Sequence, residues 1–226
     1  NGEIVNYKSL KKYLKNKKIK LKYGHEAEVI LNLYKMYGKN CVNFLRGFFS
    51  FAVIELNSNK IFAAVDRFGI KPMYYHNDKS RQITILTSDF SVLLKSKIVK
   101  EKINFDKVID FMTLAREFDN KTFYKDINRL NAASFLKINN KSIISNIYWR
   151  PFNNSETKKK RGYLIKKLNE NFLEILKLWK ISELKTSLCL SNGLDSNLLN
   201  LYLKRDKKKC YKFHIIEDDK RNDKNL

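Results

Sequence analysis

The hydrophobic positions of this chain change period along its length. Over residues 26–37, EAEVILNLYKMY, Val29, Ile30, Leu33, Tyr34 and Tyr37 share one face at helical spacing, and Gly38 follows as a C-terminal cap. This predicts a helix. Beyond it the runs shorten and become β-branched or aromatic: FFSFAVIEL (48–56), KIFAAVD (60–66) and QITILTS (82–88). The turn signals NSN (57–59) and HNDKS (76–80) separate them, which predicts antiparallel strands. The near-continuous apolar character of the first run predicts burial on both faces. A helical stretch around 105–114 comes next, then short strands up to Trp149. SFLKI (134–138) and SIISNIYW (142–149) flank the turn NNK as a hairpin.

The pattern shifts again near residues 150–160. RPFNNSETKKKRG is polar, charged and carries a proline, which reads as a linker. Residues 163–180 then place Leu164, Leu168, Phe172, Ile175, Leu176 and Trp179 on one helical face. TSLCL (186–190) reads as a short buried strand, 196–204 as a helix and CYKFHII (210–216) as a second strand. Strand, helix and strand of these lengths predict a parallel βαβ unit. The expected fold is therefore an α+β domain over 1–150, with antiparallel sheets and helices. A linker at 151–161 and the start of an α/β parallel-sheet domain over 162–226 follow.

Charge changes this picture little. The 226 residues include 46 Lys and Arg against 23 Asp and Glu, a net +23. The basic residues are scattered through KKYLKNKKIKLK, TKKKR and KRDKKK, with no aromatic-interleaved stripe beside them. No helix-turn-helix, zinc-finger or RNP motif is present, so no nucleic-acid partner is expected. Cys41, Cys189 and Cys210 have no paired spacing and read as buried free thiols of a reducing compartment. The 3 His residues do not cluster, which argues against a His/Cys metal site. No apolar run reaches membrane-spanning length and no signal peptide is visible, so the expectation is a cytoplasmic protein with no membrane partner. The chain opens on Asn1 and stops in EDDKRNDKNL, which reads as a piece of a longer protein.

The stretch SLCLSNGLDSNLLN (187–200) holds the most suggestive chemistry. A glycine-bearing polar turn between a strand and a helix points backbone N–H groups, and the helix dipole, at an anion. Ser191 and Ser196 add hydroxyl donors, Gly193 allows close approach, and Asp195 suits a Mg²⁺ riding on a phosphate. There is no Lys before the Ser, so the Walker pattern is absent. An ordinary strand-to-helix turn with Ser196 as N-cap fits the spacing equally well.

Several motifs occur together in one order. NGEIVNY (1–7), EVILNLYKMYGKNCVNFLRGFFSFAVIE (28–55), DRFGIKPMYY (66–75), KTFYKDINRL (121–130), YW (148–149) and LSNGLDSNLL (190–199) resemble motifs of the glutamine-hydrolysing asparagine synthetase family. The last resembles the SGGLDSS pyrophosphate loop of PP-loop amidotransferases. The resemblance covers residues 1–216. It implies an N-terminal Ntn-type glutaminase domain and an ATP-binding synthetase domain that adenylates a carboxylate. It also implies that the glutaminase nucleophile, an N-terminal Cys, lies upstream of Asn1. Residues 1–226 alone are then expected to hydrolyse no glutamine.

The resemblance assigns roles residue by residue. Asn1 and Gly2 form the oxyanion hole, an amide and an unhindered N–H placed to stabilise developing charge. Glu3 lies beside the bound glutamine. Glu26 stands in HEAE where the family has the Asp of SDxE, which binds the substrate α-ammonium; a first-turn helix acid is the competing reading. Leu190, Ser191, Gly193, Asp195 and Ser196 map onto the ATP site, with Asp195 toward Mg²⁺. Ile215 maps onto an apolar residue beside the adenine, or is core packing. Cys41 reads as packing. Departures are Asn192 for Gly, Asn197 for Ser, Asp89 for Glu, and LNAAS (130–134) for LPPGH. The resemblance implies aspartate, glutamine and ATP as substrates, Mg²⁺ as cofactor, and a homodimer as compatible. A related amidotransferase acting on a sugar acid, and an inactive relic or basic binding protein, are the alternatives.

Overall fold

The computed structural model describes residues 1–115, 119–139, 142–152, 158–179, 186–205 and 210–214. Its contacts divide the chain into two compact units, Asn1–Ser155 and Glu156–Leu226.

The first unit begins with β1 (Gly2–Ile4), α1 (Tyr7–Asn16) and α2 (Glu26–Tyr37). The helix α2 forms where the periodicity places it, buries Val29, Ile30 and Leu33, and ends on Gly38. Its start is fixed reciprocally. His25 Nδ1 accepts the Glu28 N–H at 3.2 Å, while the Glu28 carboxylate accepts the N–H groups of Lys22, Tyr23 and Gly24 at 2.6–2.9 Å. A 3-10 turn, Gly38–Asn43, carries the fully buried Cys41 into the core.

The strands β2 (Gly47–Glu55), β3 (Lys60–Val65), β4 (Tyr74–Asp78) and β5 (Ile83–Thr87) follow, then α3 (Phe90–Lys95) and α4 (Phe105–Leu114). The unit closes with β6 (Asn128–Arg129), β7 (Ser134–Ile138) and β8 (Ile143–Ile147). Two antiparallel sheets result, ordered β1-β2-β3-β7-β8 and β5-β4-β6. On one face of the larger sheet, Leu10 and Leu14 of α1 and the α2 stripe pack on Phe49, Phe62, Ala64 and Phe135. On the other face Ala63, Val65 and Leu136 meet Met73, Leu130 and Tyr75 of the smaller sheet's region.

The strand buried on both faces is thus β3, whose last four residues are all buried, and not β2. The second half of β2 alternates with solvent, and Ile54 is 60% exposed. β1 pairs with Gly47, Phe48 and Phe49 of β2 and β3 with Ser50–Glu55, so each half of β2 pairs with a different strand.

Two further expectations change. HNDKS is not simply a turn: His76, Asn77 and Asp78 continue β4, paired with Ile85, Thr84 and Ile83. The basic run near the start overlaps α1, an amphipathic helix whose buried residues are Leu10 and Leu14, with tyrosines packed beside them.

The motif DRFGIKP builds the joint between strands. Asp66 is fully buried, and its carboxylate accepts four backbone N–H groups: Phe49 at 3.2 Å, Phe68 at 3.0 Å, Ile70 at 3.1 Å and Lys71 at 3.0 Å. A buried charge without such donors would be costly. Its carbonyl takes the Ala133 N–H, and Ala133, in LNAAS, holds φ 53, the left-handed conformation that its position in the family's LPPGH leaves to glycine. Tyr148 of YW reaches back to donate its hydroxyl to the Val65 carbonyl at 2.8 Å.

The second unit contains α5 (Arg161–Trp179), β9 (Thr186–Leu190), α6 (Leu194–Arg205) and β10 (Cys210–His214). β9 and β10 pair in parallel, Thr186 with Cys210 through Leu190 with His214. The helix α6 starts two residues before the expected 196. The expected apolar face of α5 forms, but none of its described residues is buried, and Leu168 is 67% exposed. Its recorded cover is Phe172 on Tyr202, with ring centroids 4.5 Å apart. Cys189 is exposed and Cys210 half-buried rather than buried, because among the described residues β9 and β10 have only each other as neighbouring strands. No helix among the described residues is long and apolar enough to cross a membrane.

Candidate active site

The start of the chain, the start of α2 and the edge of β2 enclose a pocket of about 370 Å³. Asn1, Gly2, Glu3 and Glu26 all line it, together with Ser50 and with Ala27, Ile30, Leu31, Val53 and Ile54. Residues 25 positions apart in sequence therefore line one pocket of mixed polar and apolar character.

Strand alternation explains what each group offers. The Asn1 nitrogen donates to the Ser50 carbonyl at 3.0 Å, the Ser50 N–H donates to the Asn1 carbonyl at 2.8 Å, and the Val5 N–H donates to Arg46 at 2.8 Å. Residues 1, 3 and 5 thus turn their backbone toward β2, and Gly2 and Ile4 turn theirs away. The Ile4 N–H donates to Glu26 Oε1 at 3.0 Å. The Gly2 N–H points to the same side and has no recorded partner among the described residues. That bond orients the Glu26 carboxylate beside a spare N–H donor.

Glycine is required at position 2. Its φ is 125°, and a Cβ there would lie 2.6 Å from Phe49 Cα and run into the Phe48 carbonyl. Close approach of β1 to β2 is what places its backbone at the pocket. Glu28, two residues from Glu26, does not line the pocket. Burial alone would raise its carboxyl, but the backbone N–H groups of Gly24, Lys22 and Tyr23, with His25, outweigh it and hold the group below its ordinary value.

Cys41 is unfit as a nucleophile. Burial pushes its thiol up to about 12, so it stays protonated near neutral pH. Asp89, the departure from Glu, caps α3 by accepting the Ser91 N–H at 2.9 Å. The residue that pattern reading passed over is Ser50. It is the single polar residue in FFSFAVI, and that interruption of an apolar run was the available signal.

In the second unit, Leu190 ends β9 and Ser191, Gly193, Asp195 and Ser196 form the turn and first helical residues. Ser196 is not an N-cap but sits three residues inside that position. Its Oγ accepts the Ser191 N–H at 3.1 Å and lies 3.0 Å from the Ser191 carbonyl. Neither Asn192 nor Gly193 adopts a positive φ, so Asn192 stands in place of glycine without backbone strain. Ile215 lies outside the described residues. Among the described residues no group of three or more His, Cys, Asp and Glu side chains could hold a metal ion.

Residues 1–149 match the family model described as glutamine amidotransferase domain. Asparagine synthetase [glutamine-hydrolyzing] 2 of Bacillus subtilis is 34% identical over 144 residues, 62% of this chain and 19% of that protein. Asparagine synthetase [glutamine-hydrolyzing] 3 of the same organism is 26% identical over 202 residues, 88% of this chain and 32% of that protein. Amidase chry2 of Gibberella zeae is 24% identical over 203 residues, 87% of this chain and 29% of that protein. The chain spans about a fifth to a third of the length of these relatives.

Proposed function

We infer the function from one premise: the chain belongs to the glutamine amidotransferase domain family, through residues 1–149. The first unit is then the part that binds glutamine and positions its amide for cleavage. The observation that carries this reading is the convergence of Asn1, Gly2, Glu3 and Glu26 on one pocket, with Glu26 held by the Ile4 N–H.

The chemistry follows from those groups. In this reading a cysteine thiolate supplied upstream of Asn1 adds to the side-chain carbonyl carbon of glutamine, and the C=O electron pair moves onto oxygen. The Asn1 amide and the Gly2 N–H donate to that oxyanion. In this reading the α-amino group of that cysteine, having taken the thiol proton, returns it to the amide nitrogen as the adduct collapses, so ammonia leaves and a thioester remains. Water hydrolyses the thioester to glutamate. Glu26 pairs with the substrate α-ammonium, and its side chain, one methylene longer than the Asp of SDxE, sets how deep that ammonium sits.

For the whole protein we propose an ATP-dependent amidotransferase of the asparagine synthetase type, with ammonia displacing AMP from an activated aspartate. The donors available around Ser191, Gly193 and Ser196 suit a pyrophosphate group. Asp195 would hold Mg²⁺ through the phosphates, and that ion would shield their charge. Similarity to proteins with the two names amidase and asparagine synthetase extends over nearly the same share of this chain, which keeps a different carboxylate acceptor, such as a sugar acid, as the second reading.

Calorimetric titration tests the glutamine reading. L-glutamine should bind saturably, and glutaramic acid, which lacks the α-amino group, should bind at least roughly tenfold more weakly. Equal binding of both would reject the role of the carboxylate wall.

A further inference from the structure

We infer that Ser50 reads the amide end of the substrate: its hydroxyl accepts a hydrogen bond from the glutamine carboxamide N–H and donates its own hydrogen to Asn1 Oδ1. The inference rests on the reading of the pocket as a glutamine site.

Placement and an unmet hydroxyl carry it. The Asn1 nitrogen donates to the Ser50 carbonyl at 3.0 Å, and the Ser50 N–H donates to the Asn1 carbonyl at 2.8 Å. The two residues thus form a hydrogen-bonded antiparallel pair that continues the register of Gly2 with Phe49. Side chains of such a pair leave the sheet on the same face, with Cβ atoms about 5 Å apart. The Ser50 side chain therefore stands beside the Asn1 amide. Ser50 lines the pocket and is only 4% exposed. The other buried polar residues, Asp66, His76, Thr122 and Ser134, each make a side-chain hydrogen bond. The Ser50 hydroxyl has no partner among the described residues, and a buried hydroxyl left in that condition is costly.

Bound glutamine supplies what is missing. Its carboxamide brings one acceptor oxygen and two N–H donors. The Asn1 amide and the Gly2 N–H serve the oxygen, which leaves the N–H groups in need of an acceptor. Ser50 Oγ offers two lone pairs. Glu3 leaves the same face two residues along β1, about 7 Å from Asn1, and is exposed. Glu26 accepts the Ile4 N–H and is assigned to the α-ammonium. The hydrogen of Ser50 then falls to Asn1 Oδ1, which turns Nδ2 of the same amide toward the substrate oxygen. An alanine at position 50 keeps the strand and the burial but does neither.

The test is calorimetric titration of the chain with L-glutamine and with its methyl ketone analogue, in which CH₃ replaces the amide NH₂, alongside thermal unfolding. The wild type should bind glutamine roughly tenfold more tightly than the ketone. Ser50→Ala should bring the two affinities within about twofold of each other, mainly by weakening glutamine, with the unfolding midpoint retained. A packing role would instead weaken both ligands alike and leave their ratio unchanged. A Ser50→Ala protein that keeps the wild-type ratio, or a wild type that binds both ligands equally, would overturn the role of Ser50 and leave the glutamine site standing. A wild type that binds neither would overturn the glutamine reading, and the role of Ser50 with it. Should Ser50→Ala fail to fold, Ser50→Cys decides in its place, because a thiol is a weak acceptor and should also cut the preference for glutamine.

Discussion

Two glutamates separated by one residue do different work. Glu26 is aimed at the pocket by the Ile4 N–H, while Glu28 turns back on three N–H groups of the preceding loop. The folded-state carboxyl of Glu28 lies below its ordinary value, so its stabilisation is fully present above the unfolded pKa of about 4.3. It is lost as pH falls through the folded value. Glu28→Gln should therefore lower the unfolding midpoint at pH 7, and its gap to wild type should close as the pH drops below about 4. A constant gap across that range in a pH series of thermal melts would contradict the assignment. Gly2 is the other single-residue control. Gly2→Ala combines strained backbone with a clash against β2, and should cost more than about 3 kcal/mol in denaturant unfolding; a cost under about 1 kcal/mol would show that β1 does not approach β2 as described.

At the scale of elements, legibility followed how cleanly burial was written in the pattern. The helix α2 was legible because Val29, Ile30 and Leu33 recur at helical spacing and are the residues that face the sheet. The helix α1 was not, since four lysines in YKSLKKYLKN hide a stripe of two leucines. Leu14 is fully buried nonetheless, and Leu14→Ala should cost about 2–5 kcal/mol in urea unfolding, as for a core cavity. β4 was partly missed because its polar side chains find partners in neighbouring segments, His76 through Nδ1 alone, its buried Nε2 having none among the described residues. His76 Nδ1 meets the Asp126 carbonyl at 2.8 Å, and Asn77 accepts from Thr84 at 2.9 Å. Polarity there means pairing, which composition cannot distinguish from a solvated turn. β2 misled in the opposite sense: Phe49 and Phe51 of its apolar run join the core, but Val53 and Ile54 line a pocket and Ile54 is exposed.

At the scale of the molecule, the site was more legible than the packing. Asn1, Gly2, Glu3 and Glu26 were named from motif resemblance and lie on one pocket wall, whereas their backbone roles, set by alternation along β1, needed the fold. The second unit repeats the lesson. Its βαβ order was readable, but the exposed faces of α5 and β9 were not, because hydrophobic pattern states what can be buried and not what covers it. The net charge of +23 likewise describes a surface rather than a site: the pocket that carries the functional reading is lined by two glutamates and no lysine or arginine.

The central claim is that Glu26 recognises the α-ammonium of glutamine. Calorimetric titration of L-glutamine into wild type, Glu26→Asp and Glu26→Ala tests it most directly. The account predicts saturable binding to wild type, retention within about tenfold by Glu26→Asp, and a loss of roughly tenfold to a hundredfold in Glu26→Ala. Binding that Glu26→Ala leaves unchanged, or a wild type that binds no glutamine, would contradict it.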